Sequence, residues 1–160
     1  MGAARLNISD DAPPPLDLQP AMNTRLSLFA AALWWGSLST IGFLVVPMLF
    51  AHLSTSFIAG QMAAKLFAAQ TWVSTACCLI LLVVNRPGRP AATLKEPGSF
   101  FLIVLGLLFA LLIEHGVAPR IVARENLRLW HSAGTAMYAL QWLCAAIVLW
   151  RMAGRRPALP

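Results

Sequence analysis

The chain has 160 residues, of which 59% are hydrophobic and only 11% are charged. Soluble domains average about 45–50% apolar and about 25% charged residues, so this composition excludes an ordinary soluble domain and predicts an integral membrane protein embedded in a lipid bilayer. The net charge of +6 does not indicate a nucleic-acid partner, because the basic residues lie between apolar runs and form no basic helix with interleaved aromatic residues.

The chain begins with a polar, proline-rich segment, and we predict a flexible tail over residues 1–24. It has no apolar region of the kind that a signal peptide requires. After Arg25 the sequence carries no Asp, Glu, Lys or Arg until Lys65, a stretch too long for one membrane crossing of about 20 residues. The Ser-Thr-Ser run at 54–56 can cap a new helix and therefore separates a first span from a second.

The same length argument divides the rest of the chain into spans and connections. The predicted membrane domain covers 25–151, with spans at about 26–50, 61–85, 100–117 and 130–150, a loop at 85–99, a basic connection at 118–129 and a basic tail at 152–160. Pro119 is expected to end the third span. Trp130 and Trp150 frame the fourth span, as residues of interfacial aromatic belts do. We therefore predict an all-α, integral membrane four-helix bundle with four transmembrane spans.

Four spans place both termini on one side of the membrane. That side holds the basic residues Arg5, Arg25, Arg86, Arg89, Lys95, Arg151, Arg155 and Arg156. The other side holds Lys65, Arg120, Arg124 and Arg128. The excess of Lys and Arg favours cytoplasmic termini, and we predict a multi-pass membrane protein.

This topology gathers most ionisable side chains at the non-cytoplasmic end. They are His52, Lys65, Glu114, His115, Arg120, Arg124, Glu125, Arg128 and His131. Membrane interfaces are where polar residues belong, and this alone accounts for many of them. Ionisable groups inside a membrane protein are costly and are often functional, so a functional polar mouth is the competing interpretation.

One face of the fourth span carries His131, Thr135, Tyr138 and Trp142 at helical spacing. Such a stripe is expected to face the bundle interior, and Gln70 is expected to hydrogen-bond between helices. The residues predicted to form the polar interior or mouth are Lys65, Gln70, Glu114, His115, Arg120, Arg124, His131, Thr135 and Tyr138.

The histidines raise the question of a cofactor. His131 is the candidate ligand for haem or a transition metal, and His115 and Glu114 are the other metal candidates. No local metal motif is present, and adjacent residues such as 114 and 115 point about 100° apart on a helix. No catalytic residue is predicted, because neither G-x-S-x-G nor H-E-x-x-H occurs. Arg120, Arg124 and Arg128 suit a lipid phosphate, either as a site or as plain headgroup anchors.

Several segments together resemble a known family. They are Leu-Trp-Trp-Gly-Ser-Leu-Ser-Thr-Ile-Gly-Phe at 33–43, Pro-Met-Leu-Phe at 47–50, Ala-Gly-Gln at 59–61, Leu-Phe at 66–67, Trp72, Ala-Pro-Arg-Ile at 118–121 and Leu-Trp-His-Ser at 129–132. They are similar to the bacterial domain-of-unknown-function 4149 family, which includes the transmembrane-protein-205-like domain of eukaryotes. The resemblance covers about 25–150 and implies a four-helix domain of a bacterial inner (plasma) membrane without a settled activity.

The resemblance also has a residue-level consequence. The family usually has Leu-His-Gly at the start of the last helix, where this chain has Trp130-His131-Ser132, so the histidine is kept and the glycine is not. The family looks distantly similar to copper-resistance membrane proteins and to four-helix protoporphyrinogen oxidases linked to haem, which implies a cofactor by analogy only.

Two functional hypotheses follow. The first is a structural or transport-associated module that acts as a homo-oligomer or with other membrane proteins. Ala32, Gly36 and Thr40 form a small-residue face that lets another helix approach closely. The alternative is a metal- or haem-binding redox protein that uses His131 near the non-cytoplasmic face.

Overall fold

The computed structural model describes residues 18–86, 97–123 and 126–154. Its α-helices are α1 (Leu18–Ser39), α2 (Val46–His52), α3 (Ser56–Val84), α4 (Pro97–Leu112), α5 (Ala118–Val122) and α6 (Leu127–Ala153). A first π segment (Thr40–Val45) joins α1 to α2, and a second π segment (Ile113–Val117) joins α4 to α5. The described helices therefore form four rods.

Each rod contains a helix that is long and apolar enough to cross a membrane. The four candidate spans are Met22–His52, Ser56–Val84, Gly98–Val122 and Leu127–Ala153; we number them span 1 to span 4. The shortest span has 25 residues. At a rise of about 1.5 Å per residue, its length exceeds the thickness of about 30 Å of the hydrocarbon core of a bilayer. The predicted all-α four-helix fold is confirmed, and the chain is a multi-pass membrane protein.

The helices extend beyond several expected ends. The helix of span 1 begins at Leu18, within the predicted tail, whose residues 1–17 lie outside the described part of the chain. Span 3 does not stop before Pro119 but continues to Val122. Pro119 is tolerated because it stands in the first turn of α5, after the second π segment has already changed the hydrogen-bond step. At the other end, α6 runs to Ala153, and residues 155–160 of the predicted basic tail lie outside the described residues.

The four rods pack as a closed ring. Helix α1 packs against α3 and α6, and α4 packs against the same two helices, so each span has its neighbours in the sequence beside it and span 4 closes on span 1. Fully buried side chains fill the centre, among them Trp34, Leu38 and Ile103. Gly106 makes room for the indole of Trp34, because a Cβ at Gly106 would lie 2.5 Å from two ring carbons. We call the contact between Trp34 and Gly106 the plug.

Buried polar side chains tie the spans together near the middle of the bundle. The Gln70 Nε2 group donates to Ser37 Oγ at 2.9 Å and to Ser74 Oγ at 3.2 Å. Gln141 Nε2 donates to the same Ser74 Oγ at 3.0 Å. This glutamine network links spans 1, 2 and 4 by hydrogen bonds of the kind that hold membrane helices together.

A second set of ties lies toward the end where α1 begins. Asn85 Nδ2 donates to Ser27 Oγ at 3.2 Å and joins span 2 to span 1. Arg151 donates to Ser99 Oγ at 3.1 Å and joins span 4 to span 3. The side chains of Ser27, Asn85 and Ser99 are buried, so this end of the bundle is closed by specific polar contacts as well as by apolar packing.

Candidate functional site: a cavity at one end of the bundle

A cavity of about 390 Å³ opens at the end of the bundle where spans 1 and 3 finish and spans 2 and 4 begin. This volume falls within the range of about 300–1,000 Å³ that is usual for small-molecule sites. All four spans contribute to its wall. The small residues of the wall are Gly42, Gly60, Ala63, Ala64, Ala118, Gly134 and Ala139, and the large apolar residues are Phe43, Val46, Phe50, Phe67, Ile113, Val117, Ile121 and Val122. The polar residues are Glu114, His131, Thr135 and Tyr138.

Both π segments contribute to the cavity wall. In each, the backbone N–H that follows the segment donates five residues back, from Val46 to the carbonyl of Ile41 and from Ala118 to that of Ile113. Pro47 and Pro119 come next in the chain, and each lacks the N–H that an α-helix would direct at the carbonyl four residues earlier. Departures from α-helical hydrogen bonding thus concentrate at the cavity, and π segments are frequent at functional sites.

Tyr138 and Phe67 form the floor of the cavity. Their rings meet edge to face with centroids 5.3 Å apart. The Tyr138 hydroxyl donates to the Leu38 carbonyl at 2.8 Å, just before the first π segment. A Cβ at Gly42 would lie 2.6 Å from Tyr138 Cε1, so the close approach of the ring requires glycine there. Since Gln70 lies one turn beyond Phe67, the floor separates the cavity from the glutamine network.

Glu114 is the only Asp or Glu among the residues that the structure describes. It lies in the second π segment, lines the cavity and is half-buried. No hydrogen bond or ion pair joins its carboxylate to another described residue. An acidic side chain in a membrane span without a partner is costly, which makes Glu114 the first candidate for ligand contact.

His131 and Thr135 stand on the wall that span 4 contributes. The Thr135 hydroxyl donates to the backbone carbonyl of His131 at 2.8 Å, so it is used within its own helix. The His131 imidazole lines the cavity and has no hydrogen-bond partner among the described residues. His115 is exposed and is not part of the wall, so the structure brings Glu114 and His131 to one cavity and leaves His115 outside it.

The other residues predicted for the polar mouth have different surroundings. Lys65 is exposed on α3 and does not line the cavity. Arg120 is exposed; its guanidinium donates to the Gly116 carbonyl at 3.1 Å and lies 4.3 Å from the centre of the Trp130 ring. Gln70 belongs to the glutamine network beneath the floor. Arg124 lies outside the described residues. Among those that are described, no three His, Cys, Asp or Glu side chains form a group able to hold one metal ion.

The cavity has an open side between spans 1 and 4. Beyond the floor, α2 packs against α3, and α5 packs against α6. Of the described elements, α2 and α6 are not closely packed against each other, and neither are α3 and α5. At the inner end of the gap between spans 1 and 4, the Phe43 ring meets the Trp142 ring edge to face, with centroids 5.6 Å apart. Phe43 and Phe50 on one edge of this gap are exposed, as are His131 and Thr135 on the other. In a bilayer, this gap faces the lipid.

Several functional features are missing from the sequence-based prediction. The π segments carry no periodicity signal of their own, although Pro47 near the end of the first span and Pro119 just after the predicted end of the third are residues that interrupt α-helical hydrogen bonding. The contact between Gly42 and Tyr138 depends on two residues almost a hundred positions apart. Gln141 was recognisable as the one amide of the fourth span.

Comparison with known proteins identifies the family of the chain but no individual relative. No curated protein and no solved structure matches the chain. The family described as Domain of unknown function (DUF4149) matches residues 29–129, which include the first π segment, Gly60, Glu114 and the first turn of α6. With more than half of its length matched, the chain belongs to the DUF4149 family.

Proposed function

We propose that the protein binds a small, mainly apolar molecule in this cavity and serves as a transport-associated module of a bacterial inner (plasma) membrane. The observation that carries the proposal is the cavity itself, which all four spans build from small and apolar residues. Protein interiors are normally close-packed, and the other half of this bundle follows that rule. An unfilled volume beside it, with an acidic side chain in its wall, supports a binding site.

Charge and span count support the orientation and assembly that we propose. With the larger group of Lys and Arg residues in the cytoplasm, both termini are cytoplasmic and the cavity opens near the opposite face. Four spans are few for a conduction path, so transport would need a second copy or another membrane protein. The proposed contact with that second protein is the small-residue face of Ala32, Gly36 and Thr40. The Cβ position of Gly36 has nothing within 4 Å, which leaves room for another helix.

The test fills the cavity without disturbing the fold. A Cβ at Gly60 meets nothing within 4 Å, and Gly60 lines the cavity, so Gly60→Leu places its side chain in the empty space. The matched control is Ala69→Leu on the same helix, at an exposed position outside the cavity wall. The probe is the neutral fluorophore 1-aminoanthracene, titrated into purified protein in lipid nanodiscs.

We expect 1-aminoanthracene to bind the native protein and Ala69→Leu alike, and Gly60→Leu to weaken its binding by at least about tenfold, equivalent to about 1.4 kcal/mol. Equal binding to all three proteins, or no saturable binding to any, would overturn the proposed function.

A second candidate is a metal- or haem-binding redox protein, and one observation favours it: His131 and Glu114 line the same cavity. Imidazole and carboxylate are ligands for transition metals. The measurement is an absorption spectrum together with elemental analysis of the purified protein. The candidate requires a Soret band or near-stoichiometric copper, iron or zinc that is lost in His131→Ala; full metal or haem content in that variant would contradict it.

A further inference from the structure

We infer that the molecule bound in the cavity is a lipophilic ammonium ion, an alkyl or aryl body with one protonated amine, and that Glu114 is its counter-ion. The inference rests on the proposed function and names the chemistry of its ligand. It depends on the charges around the cavity, on the composition of its wall and on the side from which a ligand can arrive.

Glu114 is the acidic residue of the cavity. It is the only acidic side chain of the described residues, it lies in the cavity wall, and no described side chain or backbone group pairs with it. In surroundings of low dielectric constant an opposite charge is attracted more strongly than in water. A cation that enters the cavity therefore meets a carboxylate whose charge no described group balances.

Arg120 and Lys65, two basic side chains at this end of the bundle, do not pair with Glu114. The Arg120 guanidinium contacts the Gly116 carbonyl and the Trp130 ring, on an exposed part of span 3. Lys65 is exposed on α3 and outside the cavity wall. Three titratable side chains line the cavity: Glu114, His131 and Tyr138. His131 forms no ion pair with Glu114 among the described contacts.

The rest of the wall fits the body of such a ligand. Phe43, Phe50, Phe67 and Tyr138 line the cavity, and aromatic faces attract ammonium groups as well as apolar surface. The hydroxyl hydrogens of Thr135 and Tyr138 are already used, since both donate to backbone carbonyls, and only the acceptor lone pairs of these oxygens remain for a ligand. A polar ligand with many hydrogen-bonding groups would find few partners, whereas a single charged head on an apolar body finds one.

The open side indicates where the ligand comes from. The gap between α2 and α6 faces the lipid, and exposed Phe43 and Phe50 form one of its edges. Amphipathic amines concentrate at the boundary between headgroups and hydrocarbon, because the charge stays near water while the chain is buried. A molecule held at that depth reaches the gap without crossing water.

The experiment compares four small molecules as competitors of 1-aminoanthracene at pH 7 in nanodiscs of zwitterionic lipid. Octylammonium, octanol and octanoate share a chain and differ in charge, and butylammonium shares the charge but has a shorter chain. We expect octylammonium to compete at least about tenfold better than octanol, octanoate to compete least, and butylammonium to compete less than octylammonium.

The variants separate charge from shape. In Glu114→Gln, octylammonium should compete no better than octanol, while 1-aminoanthracene still binds. In Glu114→Asp, octylammonium should keep part of its advantage over octanol as a competitor. If Glu114→Gln does not fold, the series on the native protein decides alone. Equal competition by octylammonium and octanol on the native protein would overturn the ammonium inference and leave the proposed function standing. Failure of the Gly60→Leu test would remove the proposed function itself.

Discussion

The two halves of this bundle are built by the same four helices in opposite ways. In the half that contains the plug, all residues of the buried apolar cluster come together, including Trp34, Leu81 and Val148. Cys77, Cys78 and Cys144 are buried there as packing residues. In the other half, the same rods enclose the cavity and two of them change to π-helical turns.

The two halves differ in the surroundings of their glycines. Gly106 lets a large indole fill the centre of the bundle, and a side chain at Gly106 would collide with it. Gly60 has nothing within 4 Å of its Cβ position and leaves the centre empty. The packed half therefore provides the stability that the cavity half lacks, and the two halves are expected to respond differently to substitution.

The largest expected effect on stability is in the packed half. Gly106→Ala places a methyl group 2.5 Å from the Trp34 ring carbons and forces the indole to move, at a cost of about 1–3 kcal/mol in the free energy of unfolding. Unfolding in mixed detergent and SDS micelles measures it. Gly36→Ala, with an open Cβ position, is the control and should be neutral. A fully stable Gly106→Ala would show that the two halves pack alike.

A smaller effect is expected in the glutamine network. Ser74→Ala removes the hydroxyl that both Gln70 and Gln141 contact, and should cost about 1 kcal/mol in the same assay. Its neighbour Thr75 is the matched control, because its buried hydroxyl has no hydrogen-bond partner. Thr75→Val should leave stability unchanged or raise it slightly. If both variants lose the same free energy, then the network does not stabilise the bundle.

The smallest effect is expected at the boundary between the halves. Tyr138→Phe removes the hydrogen bond to the Leu38 carbonyl and keeps the ring against Phe67 and Gly42. We expect a loss of about 0.5–1 kcal/mol in stability and 1-aminoanthracene affinity within about twofold of the native value. A loss of probe binding as large as that of Gly60→Leu would mean that the hydroxyl contacts the ligand and that the floor belongs functionally to the cavity.

Sequence reasoning is strong where hydrophobicity decides and weak where distant residues meet. Span number and helical class follow from composition and length alone. Helix geometry predicts that Glu114 and His115 point apart, but which of them shares the cavity with His131 depends on the turn of a π segment, which no pattern of apolar residues encodes. The end of span 3 differs from the expectation for the same reason, since the second π segment lets the helix continue through Pro119.

The plug has a consequence for traffic across the membrane. Because Trp34 and the buried cluster fill the bundle beneath the floor, the described helices offer a molecule in the cavity no continuation toward the other leaflet. A ligand bound as proposed would therefore leave either to the leaflet from which it came or to a neighbouring protein. In a single copy, the cavity thus has one opening and ends at the floor. This geometry fits the proposed binding role better than conduction.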